Sequence, residues 1–77
     1  MAMVKADIDI GKRCFSEALR LFGSIENTAI RIGVTPHLPY NWIHGSTPST
    51  GVLAKMAWSG ADVNYILTGR RDDNGTD

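Results

Sequence analysis

The chain carries a single cysteine, Cys14, which excludes an internal disulfide. A lone thiol fits a reducing compartment, and a cytoplasmic location is expected. No apolar run approaches the ~20 residues of a membrane-spanning helix. The first residues, Met1-Ala2-Met3-Val4-Lys5, lack the apolar stretch of a secretion signal. Net charge is missing too. Eight Lys and Arg face eight Asp and Glu, a formal balance of zero, whereas nucleic-acid binders usually carry a basic footprint that neutralises phosphate. Reactive clusters are also lacking. His37 and His44 fall seven apart on one helix face, with no acidic or Cys partner to complete a metal set. There is no Ser-His-Asp grouping, carboxylate pair or phosphate-cradling glycine loop, so no catalysis, metal or cofactor is expected.

What the chain does have is apolar material for one small core. Its 77 residues permit one domain, and a hydrophobic content of 43% excludes disorder as its main state. A core of this size is marginal alone, so a second subunit or a bound ligand would add stability. The zero charge balance hides an asymmetry, because Asp7, Asp9, Asp72, Asp73 and Asp77 lie near the ends. Between Ile10 and Arg71, Glu17, Glu26 and Asp62 oppose Lys12, Arg13, Arg20, Arg31, Lys55, Arg70 and Arg71. That excess leaves room for a basic face.

The stretch Thr28 to Gly45, TAIRIGVTPHLPYNWIHG, organises the rest. It reads as a helix, a tight turn at Gly33 and a second helix. Ala29 is small where the helices approach. Gly33 can take the left-handed conformation that ends a helix. Val34 plugs the corner, Thr35 offers a capping hydroxyl, and Pro36 suits the first helical position. Ile32 and Trp42 supply apolar contacts inside the corner. Pro39 removes the first intrahelical bond of the second helix and predicts an irregular first turn.

Ala29, Ile32, Gly33, Val34, Thr35, Trp42 and Gly45 match a known pattern: apolar-Ala-x-x-apolar-Gly-Val-Ser/Thr, then a second helix ending near Trp-x-x-Gly. On these residues the chain resembles the lambda-repressor-like, or XRE/Cro, family of helix-turn-helix DNA-binding domains. Phe22-Gly23-Ser24 resembles the second-helix entry of Cro-like members. Pro48-Ser49, Leu53, Met56, Ala57 and the run Gly60 to Gly69 look like the closing helices of phage CI-type repressor head domains. The resemblance implies an all-α, compact five-helix fold over residues 8–69. A flexible arm is expected over 1–7 and a polar disordered tail over 70–77.

Taken in order, Asp7 or Asp9 is a plausible cap for a first helix running to about Phe22. Ile10, Cys14, Ala18, Leu21 and Phe22 form its apolar face, widened by Phe15 and Leu19, with Lys12, Arg13, Glu17 and Arg20 mostly opposite. Cys14 reads as a small buried filler. Ser24 caps a second helix, Ile25 to Ile32, and Pro36 to His44 forms the third. Helix four spans about Ser49 to Trp58. Asp62 caps helix five, Val63 to Thr68, closed by Gly69. Trp42 is expected in the core, while Trp58 is divided between covering the core and facing a partner.

The resemblance also implies site residues. Pro36, His37, Tyr40 and Asn41 fall where family members read base edges in the major groove, and Asn41 is the chemically strongest reader because an amide pairs bidentately with adenine. His44, Ser46 and Thr47 fall where family members grip the DNA backbone. The family's contact near the start of helix two does not carry over, because Ile25 stands there. Ser24, Asn27 and the free N–H groups of that helix start could still hold a phosphate, as could Arg31 from its far end, and Thr35 joins the backbone set. Tyr65 and Ile66 lie in the region that often contributes to dimerisation. The function expected is a phage- or prophage-type transcriptional regulator binding double-stranded operator DNA as a homodimer, either a short Cro-like protein or an isolated head domain. The uncharged third helix and the apolar run Pro36, Leu38, Pro39 and Tyr40 support the alternative, a protein-interaction module of antirepressor or antitoxin-like type.

Overall fold

The computed structural model describes residues 5–71, with side chains from residue 9 onward. Five helices follow one another: α1 (Lys5–Phe22), α2 (Ile25–Ile32), α3 (His37–Ile43), α4 (Thr50–Trp58) and α5 (Val63–Thr68). Among the described residues there is no strand. α1 packs against α2, α3 and α5, and α4 closes the other side of α2 and α5. Cys14, Ala18 and Phe22 recur along α1 at a spacing of one turn. They meet Ile32, Trp42, Val52, Met56 and Ile66, one residue or two from each of the other helices, in a single core.

Helix ends are fixed locally. The Ser24 hydroxyl accepts from Asn27 N–H at 3.0 Å, the Ser49 hydroxyl from Val52 N–H at 3.2 Å and the Asp62 carboxylate from Tyr65 N–H at 2.9 Å. Each satisfies an amide that a helix start would otherwise leave unpaired. α2 ends at Gly33, which has φ 71°. There Val34 N–H donates to Ala29 C=O at 3.0 Å, the six-to-one bond of a Schellman turn. Two remaining carbonyl ends are closed by cations from elsewhere in the chain. Lys55 Nζ donates to Ile32 C=O at 3.1 Å, and Arg13 donates to Ile66 and Leu67 C=O at 2.9 and 3.3 Å.

Several sequence expectations need correction. α1 starts at Lys5, so it enters the stretch expected as an arm; no Gly or Pro lies between Lys5 and Ile10 to stop it, and residues 1–4 of that arm lie outside the described residues. α3 starts one residue late, with Pro36 as its flanking residue and no side-chain cap, so Thr35 does not cap it. The reason is Pro39. It has no N–H to give Thr35 C=O, and Leu38 N–H reaches that carbonyl instead at 3.1 Å, a tighter three-residue step. Pro39 itself is fully buried rather than part of a surface run, and Leu38 is half-buried.

Glu17, read from the sequence as part of a solvated face, is fully buried. Its two carboxylate oxygens take Arg20 at 2.7 and 3.0 Å, Arg71 at 2.8 Å and the Asp62 N–H at 3.0 Å. Arg71 also reaches Asp62 at 3.3 Å and lies 4.0 Å over the Tyr65 ring. The tail expected from residue 70 is therefore tied back to the fold at its second residue, Arg71, and its residues 72–77 lie outside the described residues.

Cys14 is fully buried beside this charge. Burial first, and the Glu17 carboxylate second, push its thiol from 9.0 up to about 12. At pH 8 that leaves roughly one thiol in ten thousand as the reactive thiolate. The folded protein is expected to resist iodoacetamide labelling and to label fully in denaturant. Labelling of the native protein at the rate of a free thiol would place Cys14 outside the core.

Candidate functional site

α3 presents two unlike faces. Pro39 and Trp42 point inward and are fully buried, while Leu38 and Ile43 sit at the margins. Pro36, His37, Tyr40, Asn41 and His44 are all exposed. Their spacing puts them on one outward stripe. Tyr40 and His44, one turn apart, stack edge to face with ring centroids 5.1 Å apart, an arrangement that restrains both rings. The four residues expected to read bases thus share one solvent-facing surface. Asn41 contributes to the fold through its backbone, since its C=O accepts from Ser46 N–H at 3.1 Å, and its amide side chain stays outward and exposed.

The flanking residues are less uniform. Thr35, Ser46 and Thr47 are exposed at the two ends of α3. The Ser24 hydroxyl is taken up in capping α2, and the Asn27 amide donates to Phe22 C=O at 3.1 Å. Arg31 lies 5.4 Å over the Phe22 ring, which leaves its guanidinium edge open to solvent. The α2 start is therefore a rigid set of donors, with only part of its hydrogen-bonding capacity uncommitted.

Electrostatics limit the site. α3 carries no charged residue. Arg20 and Arg71 are held by Glu17 and Asp62, and Arg13 and Lys55 close helix ends. Lys12, Arg31, Lys55 and Arg70 are the exposed cations without an acidic partner among the described residues. Ion pairing therefore offsets only part of the positive excess between residues 10 and 71. No group of His, Cys, Asp and Glu among the described residues could hold a metal. No helix of the described residues is long and apolar enough to cross a membrane.

The expected dimer residues separate. Ile66 is fully buried and belongs to the core, so it cannot be shared with a second subunit. Six residues form α5, and Ile66 is the one that faces inward against α1. Tyr65 is half-buried beneath Arg71. The large apolar side chains left most open are Trp58, 93% exposed, and Ile30, 74% exposed. Ile30 went unremarked in the sequence, although its position two residues before Ile32 on a helix already placed it off the core face.

The fold and surface define a small all-helical domain with one outward polar-aromatic helix face. No protein-family model, characterised protein or solved structure matches the chain.

Proposed function

We propose that the protein is a sequence-specific DNA-binding transcriptional regulator of the helix-turn-helix type, with α3 as the helix that enters the major groove. The observation that carries this reading is the exposed stripe Pro36, His37, Tyr40, Asn41 and His44 on a helix whose opposite side is locked by Pro39 and Trp42. A rigidly seated helix with an outward amide, imidazole and phenol offers donors and acceptors at base-edge height without moving the backbone. Asn41 pairs with adenine, His37 contacts a neighbouring base edge, and Thr35, Ser46 and Thr47 meet the backbone at either end. Phosphate attraction comes from Arg31 and Lys12, so affinity is modest and depends on salt with a shallow slope. Bound as a homodimer, two α3 helices roughly 34 Å apart would read a pseudo-palindromic operator.

Selection from a random duplex library tests this. A two-fold-symmetric site should be enriched, and Asn41→Ala should lose about 1–3 kcal/mol on that site while changing little on random DNA. Enrichment of no sequence at low salt would remove the reading.

A second reading, a protein-interaction module, is favoured by the internal use of most cations and by exposed Trp58 and Ile30. It no longer rests on the start of α3, where the buried Pro39 interrupts the apolar run. Under it, replacing Asn41 changes nothing that binds.

A further inference from the structure

α3 has no Asp, Glu, Lys or Arg, but a histidine stands at each end of it: His37 opens the helix and His44 flanks its last residue. Both imidazoles are exposed, and two helical turns separate them on the outward stripe that holds Tyr40 and Asn41. Neither enters an ion pair or a side-chain hydrogen bond among the described residues. The edge-on Tyr40 ring, 5.1 Å away between centroids, steadies His44 on the outer face.

Histidine is the side chain that ordinarily changes charge between about pH 5 and pH 8. Carboxylates, phenols, ammonium and guanidinium groups ordinarily keep one charge state across that range. The helices packed against α3 are α1 and α2. Among the described side chains, α1 brings Asp9, Lys12, Arg13, Cys14, Glu17 and Arg20, and α2 brings Glu26 and Arg31. Cys14, pushed up to about 12, stays a neutral thiol, and Glu17, pulled down to about 2, stays a carboxylate. No described carboxylate reaches either imidazole: Asp9 pairs with Arg13, Glu17 is enclosed by Arg20 and Arg71, and Glu26 makes no ion pair. The two imidazoles are therefore the groups of this face whose charge follows pH.

We infer that His37 and His44 form a pH switch on the DNA-binding surface, in which their imidazolium forms supply phosphate attraction that α3 otherwise lacks. The inference rests on the reading of α3 as the helix that meets DNA, and it names how that contact is regulated. At neutral and higher pH the surface holds phosphate through cations outside α3, Lys12 and Arg31 among them. On acidification each end of the helix gains a positive charge. A protonated imidazole also donates from both nitrogens, so His44, next to Ser46 and Thr47, can give an N–H to a backbone oxygen. Each phosphate neutralised in this way releases a counterion, which ties the gain in affinity to salt.

Titration of the full chain on its selected duplex, from about pH 8 to about pH 5.5 at constant ionic strength, tests it. Wild-type affinity is expected to rise at least about fivefold over that range. The slope of log affinity against log salt should steepen by about 0.9 for each imidazolium that meets a phosphate. In the double variant His37→Gln, His44→Gln the affinity should stop changing with pH, whatever its level. His44→Lys fixes the charge instead and should bind several-fold more tightly than the wild type at about pH 8, which keeps the test sharp if the glutamine pair binds too weakly to follow. The variants should keep the wild-type melting profile, since both side chains are exposed. A wild-type affinity flat across the range, a pH dependence that survives in the double variant, or no gain from His44→Lys overturns the switch and leaves the DNA reading standing. A library that yields no site at either end of the range removes the DNA reading and the switch together.

Discussion

Gly11→Ala is expected to destabilise the protein by about 1–3 kcal/mol, even though alanine is the better helix former by roughly 1 kcal/mol. Gly11 is buried in the body of α1. A Cβ there would collide with Ser46 C=O and stand 3.0 Å from Trp42 C=O. Both obstacles are backbone and neither can swing aside. They belong to the end of α3, held in place by Gly45 N–H on Trp42 C=O at 3.1 Å and Ser46 N–H on Asn41 C=O at 3.1 Å. To admit one methyl, α1 and α3 must move apart, and that loosens Trp42, the largest fully buried side chain. In a thermal melt the loss reads as roughly 4–8 °C for each kcal/mol in a domain of this size. Gly51→Ala is the control of opposite sign. It also lies in a helix, but its Cβ would meet nothing nearer than the Ser49 hydroxyl at 3.9 Å, so a gain of up to about 1 kcal/mol is expected. If Gly11→Ala melts at or above the wild type, the close crossing of α1 and α3 is wrong.

The second large effect concerns the buried carboxylate. Removing Arg20 and Arg71 together is expected to cost more than removing the acid, because it strips Glu17, buried beneath them, of both its counter-ions. Removing the acid instead is milder. In Glu17→Gln both guanidiniums, each about half exposed, return to water, and the amide oxygen still accepts from Asp62 N–H. A loss of about 1–2 kcal/mol follows. The order of these two variants separates a buried charge from a surface ion pair, for which either change would matter by less than ~1 kcal/mol.

Acid titration examines the same group. The Arg20 hydrogen bond, aided by those from Asp62 N–H and Arg71 and opposed by burial, pulls the Glu17 carboxyl from 4.5 down to about 2. A depressed carboxyl contributes stability that is fully present above its unfolded value and is lost as pH falls through its folded value. The decline therefore runs from about pH 4.5 toward pH 2. Unfolding free energies measured across that window should fall steeply for the wild type and less steeply for Glu17→Gln. Parallel slopes would mean that Glu17 is not the group that titrates.

Much of the architecture was legible along the chain, because the signals that mark helices act within a few residues. Ser24 and Asp62 announce helix starts, Gly33 and Gly69 announce ends, and the apolar spacing on α1 picks out Cys14, Ala18 and Phe22. α2 and α5 have the bounds those signals imply. The outward set His37, Tyr40, Asn41 and His44 was equally legible, since a buried Trp42 fixes the phase of a seven-residue helix and with it the residues that face away.

What the chain alone determined is the local grammar: the number of helices, the caps of α2 and α5, and the phase of each apolar face. Tertiary structure decided which polar groups were taken inside and which apolar ones were left out. Glu17 is buried because Asp62 and Arg71 arrive from positions 45 and 54 residues away, and Arg13 is committed by carbonyls 53 and 54 residues away. Gly11 is indispensable because the end of α3 crosses it, and Pro39 turns inward on a helix whose first bond it has displaced. Trp58 stays in the open because α4 spends its inward face on Val52 and Met56. Each of these outcomes depends on the meeting of segments far apart in the chain. Helical period and capping reach about one turn, so they carry no information about such meetings.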